Sequence, residues 1–202
     1  MTDRLKEQLK FLSEIDKMKS IFRQTMLTDM SRYETDAEHS WHFALMSLVL
    51  FEYAGIEAIN IDRVVRMALV HDLVEIYAGD TFAYDVSGNE DKLAREEKAA
   101  DKLFSMLPTE QAGEYRLLWK EFDAMETSDA KYANAIDRLQ PFLNNYLTEA
   151  HTWTAHKVSV EQIYKRMDPV KTALPELWEF VEYVIEDSIA KHYISRATDM
   201  ER

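Results

Sequence analysis

The sequence predicts an all-α chain folded as one domain over residues 1–202, and three observations carry that reading. Breakers are scarce: four Gly and four Pro in 202 residues leave long uninterrupted segments. Apolar residues recur at helical spacing through most of the chain. No strand pattern of useful length interrupts them. A hydrophobic content of 47% suits a single domain with a sizeable core, and no repeat or low-complexity linker divides the chain.

The elements follow in order. Over residues 3–19, Leu5, Leu9, Leu12, Ile15 and Met18 form a helical stripe whose default place is the core. Ser20 to Thr25 and the polar stretch 28–36 read as loop, and Arg23 has no periodic role there. Thr35-Asp36-Ala37-Glu38 matches a capping box, with Thr35 as N-cap, for a helix running to Gly55. His39 lies in its first turn and is carried into the core. His42, one turn on, reads as an ordinary half-buried histidine rather than a ligand. Asn60 caps a central helix that closes at Gly79 and is apolar on all faces from Val64 to Ile76.

The loop 80–90, with Asp80, Asp85, Gly88 and Asn89, begins beneath Glu75 and forms a pocket wall. Residues 91–106 form a charged helix with Leu93, Ala100, Leu103 and Leu107 inside and a solvated outer face, stopped by Pro108. The helix 109–126 carries Tyr115, Leu118, Trp119 and Phe122. Ser128 caps the helix 129–150, in which Asp137 is an unexpected charge and Pro141 a kink. A short helix over 159–167, a last helix from Pro175 to about 195, and a frayed tail 196–202 complete the chain.

The net charge of −13 argues against a nucleic acid polymer or an anionic membrane as partner. A small anion stays open, because one metal and one arginine dominate locally. With no cysteine, thiolate zinc sites, Fe–S clusters and disulfides are excluded, and a reduced, cytoplasmic setting fits. The N-terminus MTDRLKEQLK has no apolar signal core, and no apolar run approaches a membrane span.

Chemistry enters through polar groups in apolar helices. A buried carboxylate is costly unless it is paired or coordinates a metal. His71 and Asp72 leave their helix about 100° apart and can meet at one ion. Glu75 shares the face of His71 one turn on, as a spare acid. Three separate helices thus offer His39, His71-Asp72 and Asp137, an N/O donor set suited to one divalent ion with Mn, Fe, Co, Ni and Zn all possible. With no further donors beyond His42, a mononuclear centre is expected.

Glu38-His39-Ser40, then His71-Asp72-x-x-Glu75-Ile76-x-x-Gly79-Asp80, then Asp137 resembles the signature of the HD-domain phosphohydrolases, and within them the 5′-deoxynucleotidase branch, over residues from about 10 to 150. The resemblance implies an all-α HD-domain helical bundle, on which helices 159–195 would pack. It implies a homodimer, one divalent ion per chain (Mn, Co, Fe, Ni, Zn or Mg), and hydrolysis of deoxynucleoside 5′-monophosphates to deoxynucleoside and phosphate. Carried over, His39, His71, Asp72 and Asp137 are the metal ligands, and Glu75 and Asp80 the acidic pair near the scissile bond. Arg23 takes the place of the family's phosphate-binding arginine. A tryptophan follows that arginine, near the sugar, in a family member; here Gln24 stands there. Asp80 is also a candidate for a sugar hydroxyl. The apolar excess that would cover a dimer face is sought at Trp119, Phe122, Trp178 and Phe180. Alternatives are an HD phosphohydrolase acting on another nucleotide or phosphomonoester, a two-iron oxygenase, and a non-catalytic metal- or nucleotide-binding protein.

Overall fold

Thr2 opens the structured chain: its Oγ1 accepts the Leu5 N–H and caps helix α1 (Asp3–Ile15), which tightens into a 3₁₀ turn over Asp16–Ser20. The computed structural model describes residues 1–200. α1 does not bury its expected stripe. Leu5, Leu9 and Leu12 are 43%, 47% and 57% exposed. The helix docks instead through Phe11, whose ring meets Tyr115 edge-on at 6.0 Å, and through a 2.7 Å bond from Gln8 to Gln111.

The stretch expected as loop forms a small antiparallel hairpin, β1 (Phe22–Met26) and β2 (Tyr33–Thr35), pairing Phe22 with Thr35 and Met26 with Tyr33. Strands this short carry too few alternations to register as a pattern. The hairpin places Arg23 on a strand, facing the helices.

Helix α2 (Asp36–Val49) starts with the expected capping box between Thr35 and Glu38. It ends before Gly55, with a 3₁₀ turn at Phe51–Tyr53. Gly55 lies against the C-terminal part of the chain: its N–H bonds Ala173 O at 2.9 Å, and a Cβ there would collide with the Pro175 ring.

Asn60 caps α3 (Ile61–Val70) through the Arg63 N–H. The central helix is neither continuous nor buried all round. Leu69 is exposed. After Val70 the backbone tightens to i→i−3 bonds, Leu73 N to Val70 O at 3.1 Å and Glu75 N to Asp72 O at 2.9 Å, before a single turn α4 (Glu75–Ala78). His71 and Asp72 therefore sit where α3 gives way to a tighter turn, and their side chains meet there, Nε2 3.0 Å from Oδ2. Gly79 ends α4 at φ 78°, the left-handed region glycine enters at no steric cost.

The remaining helices are α5 (Lys92–Phe104), α6 (Thr109–Ala124), α7 (Ser128–Leu147), α8 (His151–Ala155), α9 (Val160–Ala173), α10 (Trp178–Ala190) and a last turn α11 (Ala197–Met200). α7 is capped by Thr127 rather than Ser128, and runs on through Pro141. α8 is additional to the expected elements. α9 starts on a capping box between Ser159 and Gln162 and outruns the expected 159–167 by continuing through Pro169 to Ala173. Pro175 opens a 3₁₀ turn over Pro175–Leu177 ahead of α10. α11 occupies part of the tail expected to fray, and residues 201–202 of that tail lie outside the described residues.

α2 and α3 pack on each other and on α7; α6 flanks α3 and α7; α9 covers another side of α7 and carries α10. One apolar cluster runs through these contacts and includes residues as far apart as Phe11 and Ile194. Trp119 is buried in it, and Phe122, Trp178 and Phe180 pack against it, so they form no spare surface. α2 instead exposes an apolar group of its own, Trp41, Leu45, Leu48 and Val49. Among the described residues no helix is long and apolar enough to cross a membrane.

Candidate metal centre and its cavity

α2, the α3–α4 turn and α7 bring four donor atoms to one point. His39 Nε2 lies 2.9 Å from Asp137 Oδ1 and 3.8 Å from Asp72 Oδ2. His71 Nε2 lies 3.0 Å from Asp72 Oδ2 and 3.6 Å from Asp137 Oδ1. His39 is fully buried, and His71 and Asp137 nearly so.

Both imidazoles are oriented from behind. His71 Nδ1–H donates to Ala68 O at 2.9 Å, which turns Nε2 inward, buried and without a hydrogen-bond partner. His39 Nδ1–H donates to Gln140 Oε1 at 2.9 Å, while the Gln140 amide donates to Glu34 Oε1 at 2.7 Å and to His42 Nδ1 at 3.1 Å. These bonds fix the tautomers that aim both Nε2 atoms inward. They also place His42 outside the centre, as an acceptor for Gln140.

Charge points the same way. Burial opposes a proton on His71, yet Asp72 and Asp137 outweigh burial and hold its pKa up to about 10. Burial and then Arg23 push His39 down, so it stays neutral and available as a donor. Asp72 and Asp137 are held ionised against burial by the histidines, and Asp72 also by Arg23. Two buried carboxylates calling for positive charge, with two imidazole Nε2 atoms aimed at the same point, fit a divalent transition ion that would take the place of the proton on His71.

A second acidic cluster adjoins it. Asp36, Glu75 and Asp80 each bring a carboxylate oxygen within 4.8 Å of the others. Asp36 has no exposed surface and neither of its oxygens has a partner; Glu75 Oε2 is likewise unpartnered. Burial, reinforced by Asp72, pushes Asp36 up to about 7, and the same two causes lead in raising Glu75 well above the usual carboxylate range. Arg23 reaches in from β1, with Nη1 2.7 Å from Asp72 Oδ2 and 3.6 Å from Asp36 Oδ1, and Nε 4.0 Å from Glu34 Oε2. Burial opposes its charge, but Asp72, Asp80 and Glu75 keep it protonated.

A cavity of about 240 Å³ joins these groups, lined among others by Arg23, Gln24, Asp80, Lys92, Asp137 and Arg166. Its wall is the loop after Gly79, as expected, and Arg95 of α5 holds that loop by bonding Ala78 O at 2.7 Å, Gly88 O at 2.9 Å and Thr81 Oγ1 at 3.1 Å. α5 is thus not simply solvated on its charged face: Lys92 and Arg95 both serve the cavity.

The sequence reading brought together His39, His71, Asp72 and Asp137, with Glu75, Asp80, Arg23 and Gln24 around them, and all eight line or adjoin this centre. It missed Glu34, Asp36, Gln140, Lys92 and Arg166. Gln140 carried a signal: it follows Asp137 by one helical turn and shares its face.

The HD domain family model matches residues 15–178. The chain belongs to the HD-domain family. Within that family, the chain resembles the crystal structure of a "Predicted metal-dependent phosphohydrolase" from Magnetospirillum magnetotacticum MS-1, with TM-score 0.90 and 48% identity over 95% of this chain and 96% of that one. It is 30% identical to 5′-deoxynucleotidase HDDC2 of Homo sapiens over 67% of this chain and 65% of that protein. The Bos taurus HDDC2 is 32% identical over 67% of this chain and 64% of its own length. The chain thus matches a little under two thirds of the length of these curated relatives.

Proposed function

We propose that this HD-domain chain is a metal-dependent phosphohydrolase, and most specifically a 5′-deoxynucleotidase that cleaves deoxynucleoside 5′-monophosphates to deoxynucleoside and phosphate. The observation that carries the reading is the convergence of His39, His71, Asp72 and Asp137 on one point inside a cavity. The names of the HDDC2 relatives support the choice of substrate.

These four residues would hold one divalent ion, chosen among Mn, Co, Fe, Ni, Zn and Mg. When bound, that ion supplies Lewis-acid charge to a phosphoryl group and acidifies water near neutral pH. In the hydrolysis, a water oxygen forms a bond to phosphorus and the P–O5′ bond breaks. The water gives up one proton and the 5′ oxygen gains one. Glu75 is placed for that exchange: it is not needed as a ligand, its carboxyl is held protonated, and its Oε2 is free. Asp80 shares the proton equilibrium of Glu75 and Asp36 and orients water or a sugar hydroxyl. Arg23 holds Asp72 in place and offsets acidic charge where phosphate must enter. Gln24, the next residue on β1, lines the cavity and is the residue we assign to the sugar.

We read the whole chain as one HD domain, cytoplasmic with its nucleotide substrate, without a nucleic acid polymer or membrane as partner. It forms a homodimer through the exposed α2 face at Trp41, Leu45, Leu48 and Val49. The test is to strip the protein of metal, restore one ion at a time, and measure phosphate release from all deoxy- and ribonucleoside monophosphates. Release from another phosphomonoester alone would move the reading to a different substrate; release from none with any ion would overturn it.

A further inference from the structure

Positive charge in the cavity is not spent evenly. Arg23 already faces Asp72, Asp36 and Glu34. Across the centre, beyond Asp137, stand Arg138 of α7 and Arg166 of α9, both lining the same cavity. Arg138 donates from Nη1 to Arg166 O at 3.2 Å and from Nη2 to Met125 Sδ at 3.3 Å, and its Nε is buried without a partner. Among the described residues no carboxylate comes within ion-pair distance of it; Asp137 and Asp168 act only from farther away. Arg166 makes a single long contact, Nη2 to Asp137 Oδ2 at 3.5 Å. Asp137 turns its other oxygen, Oδ1, to the two histidines, so Arg166 stands at the very edge of the centre.

Two guanidinium groups side by side in a cavity, one of them half-buried and lacking an anion, weaken the fold rather than support it. Tyr84 adds a donor at the same end: burial pushes its hydroxyl up to about 12, so it stays protonated. Such a cost is retained where the missing anion is a ligand. Paired guanidinium forks match the oxygens of a phosphate dianion better than any other protein group does.

We propose that Arg138 and Arg166 form the phosphate-recognition subsite of this cavity, gripping the oxygens of a phosphomonoester dianion from the Asp137 side of the centre. The inference rests on the phosphohydrolase reading for the identity of the anion, and for its place on Arg138, which has no anion, beside Arg166, which has one long contact. Arg23, with its charge already answered, then serves to position Asp72.

The test is calorimetric titration of inorganic phosphate into the metal-loaded protein, with metal content measured on each sample. Wild type is compared with Arg138→Gln, Arg166→Gln, Arg138→Lys and the surface control Arg4→Gln. Each glutamine variant should weaken phosphate binding about tenfold or more, and Arg4→Gln should not change it. Arg138→Lys should recover only part of the loss, because it restores charge without the fork. Melting temperatures give a readout that a purely structural role would move the other way: Arg138→Gln should melt at or above wild type. Unchanged phosphate affinity in both glutamine variants overturns the subsite, as does a loss of affinity accompanied by a lower melting temperature in Arg138→Gln. If the wild type cleaves no phosphomonoester yet the arginine variants still lose phosphate, the subsite stands and the hydrolase reading falls.

Discussion

Gln140 sets the tautomer of His39: its Oε1 accepts the Nδ1 proton at 2.9 Å, and its amide group is held in turn by Glu34 and His42. The bond leaves His39 Nε2 unprotonated and aimed at Asp137 and Asp72. Gln140→Leu keeps the volume and removes the acceptor. It should lower metal affinity by about 10- to 100-fold, the usual cost of losing a partner that orients a ligand. Competition against a metal-sensitive dye measures it, and unchanged affinity would mean that packing alone orients the ring.

His71→Ala and Asp137→Ala remove donors themselves. Each also leaves the opposing buried charges uncompensated. Bound metal, read by elemental analysis after gel filtration, should fall sharply in both, and phosphate release should vanish with it. Full metal occupancy in either variant would remove that residue from the centre.

What the sequence revealed and what it hid divide along the reach of the interactions. The capping box at Thr35 and the Asn60 cap are local, and both stand as read. His39, His71, Asp72 and Asp137 were legible because a polar group in an apolar helix is itself an anomaly. The break after Val70 was not, because no Gly or Pro marks it; the tertiary packing of His71 and Asp72 overrides helix propensity there. Leu5, Leu9 and Leu12 have a core-like period yet face outward, since only the docking of Phe11 on Tyr115 decides which side of α1 is covered. Lys92 and Arg95 look in sequence like any charged pair on a solvated helix. Their role depends on where the loop 80–90 returns across α5.

Removing the metal should make stability strongly dependent on pH. Burial raises Glu34 and Asp36 to about 7 each, so the folded chain holds protons there more tightly than the unfolded chain does. Their stabilising effect is complete below the unfolded carboxylate range and is lost as pH rises through about 7. His71, raised to about 10, acts in the same sense: its contribution is lost between the ordinary histidine range and about 10. Asp72 and Asp137, held down, oppose this only at acid pH. His39, pushed down, opposes it below the ordinary histidine range, so chelated protein should melt lower at each step from pH 7 to pH 9, with each kcal/mol worth roughly 2–4 °C. A melting temperature that rises over this range would contradict the assignment.

The α2 face gives the assembly test. Trp41, Leu45, Leu48 and Val49 follow one helical stripe, and Trp41 is 63% exposed. A self-complementary contact would bury that stripe against its own copy. Light scattering at micromolar concentration should report a dimer for wild type and a monomer for Leu45→Glu, with the helical circular dichroism unchanged. A monomeric wild type would sink the homodimer.

Binding and chemistry separate at Glu75 and Arg23. Glu75 sits on α4, beside Asp36 and Asp80, with an unpartnered Oε2 and a carboxyl pushed well above the usual range by burial and Asp72. Glu75→Gln keeps the shape of the side chain and removes only the exchangeable proton. It should retain metal, retain substrate binding, and lose about 10²-fold or more in turnover, the scale of a general acid–base group. Arg23→Ala acts through a different link. It removes the partner 2.7 Å from Asp72 Oδ2 and a guanidinium that sits among five nearby acids, Asp72, Asp80, Glu75, Asp36 and Glu34. Repulsion among those acids then rises in the free enzyme and against incoming phosphate alike, so KM should climb together with a fall in kcat. Both variants are measured with metal content on the same preparations. Loss of metal from Glu75→Gln would make Glu75 a ligand. Turnover at the wild-type rate would pass the proton to Asp80 or to solvent. A rise in KM without any change in kcat for Arg23→Ala would limit that arginine to substrate binding and free Asp72 from its influence.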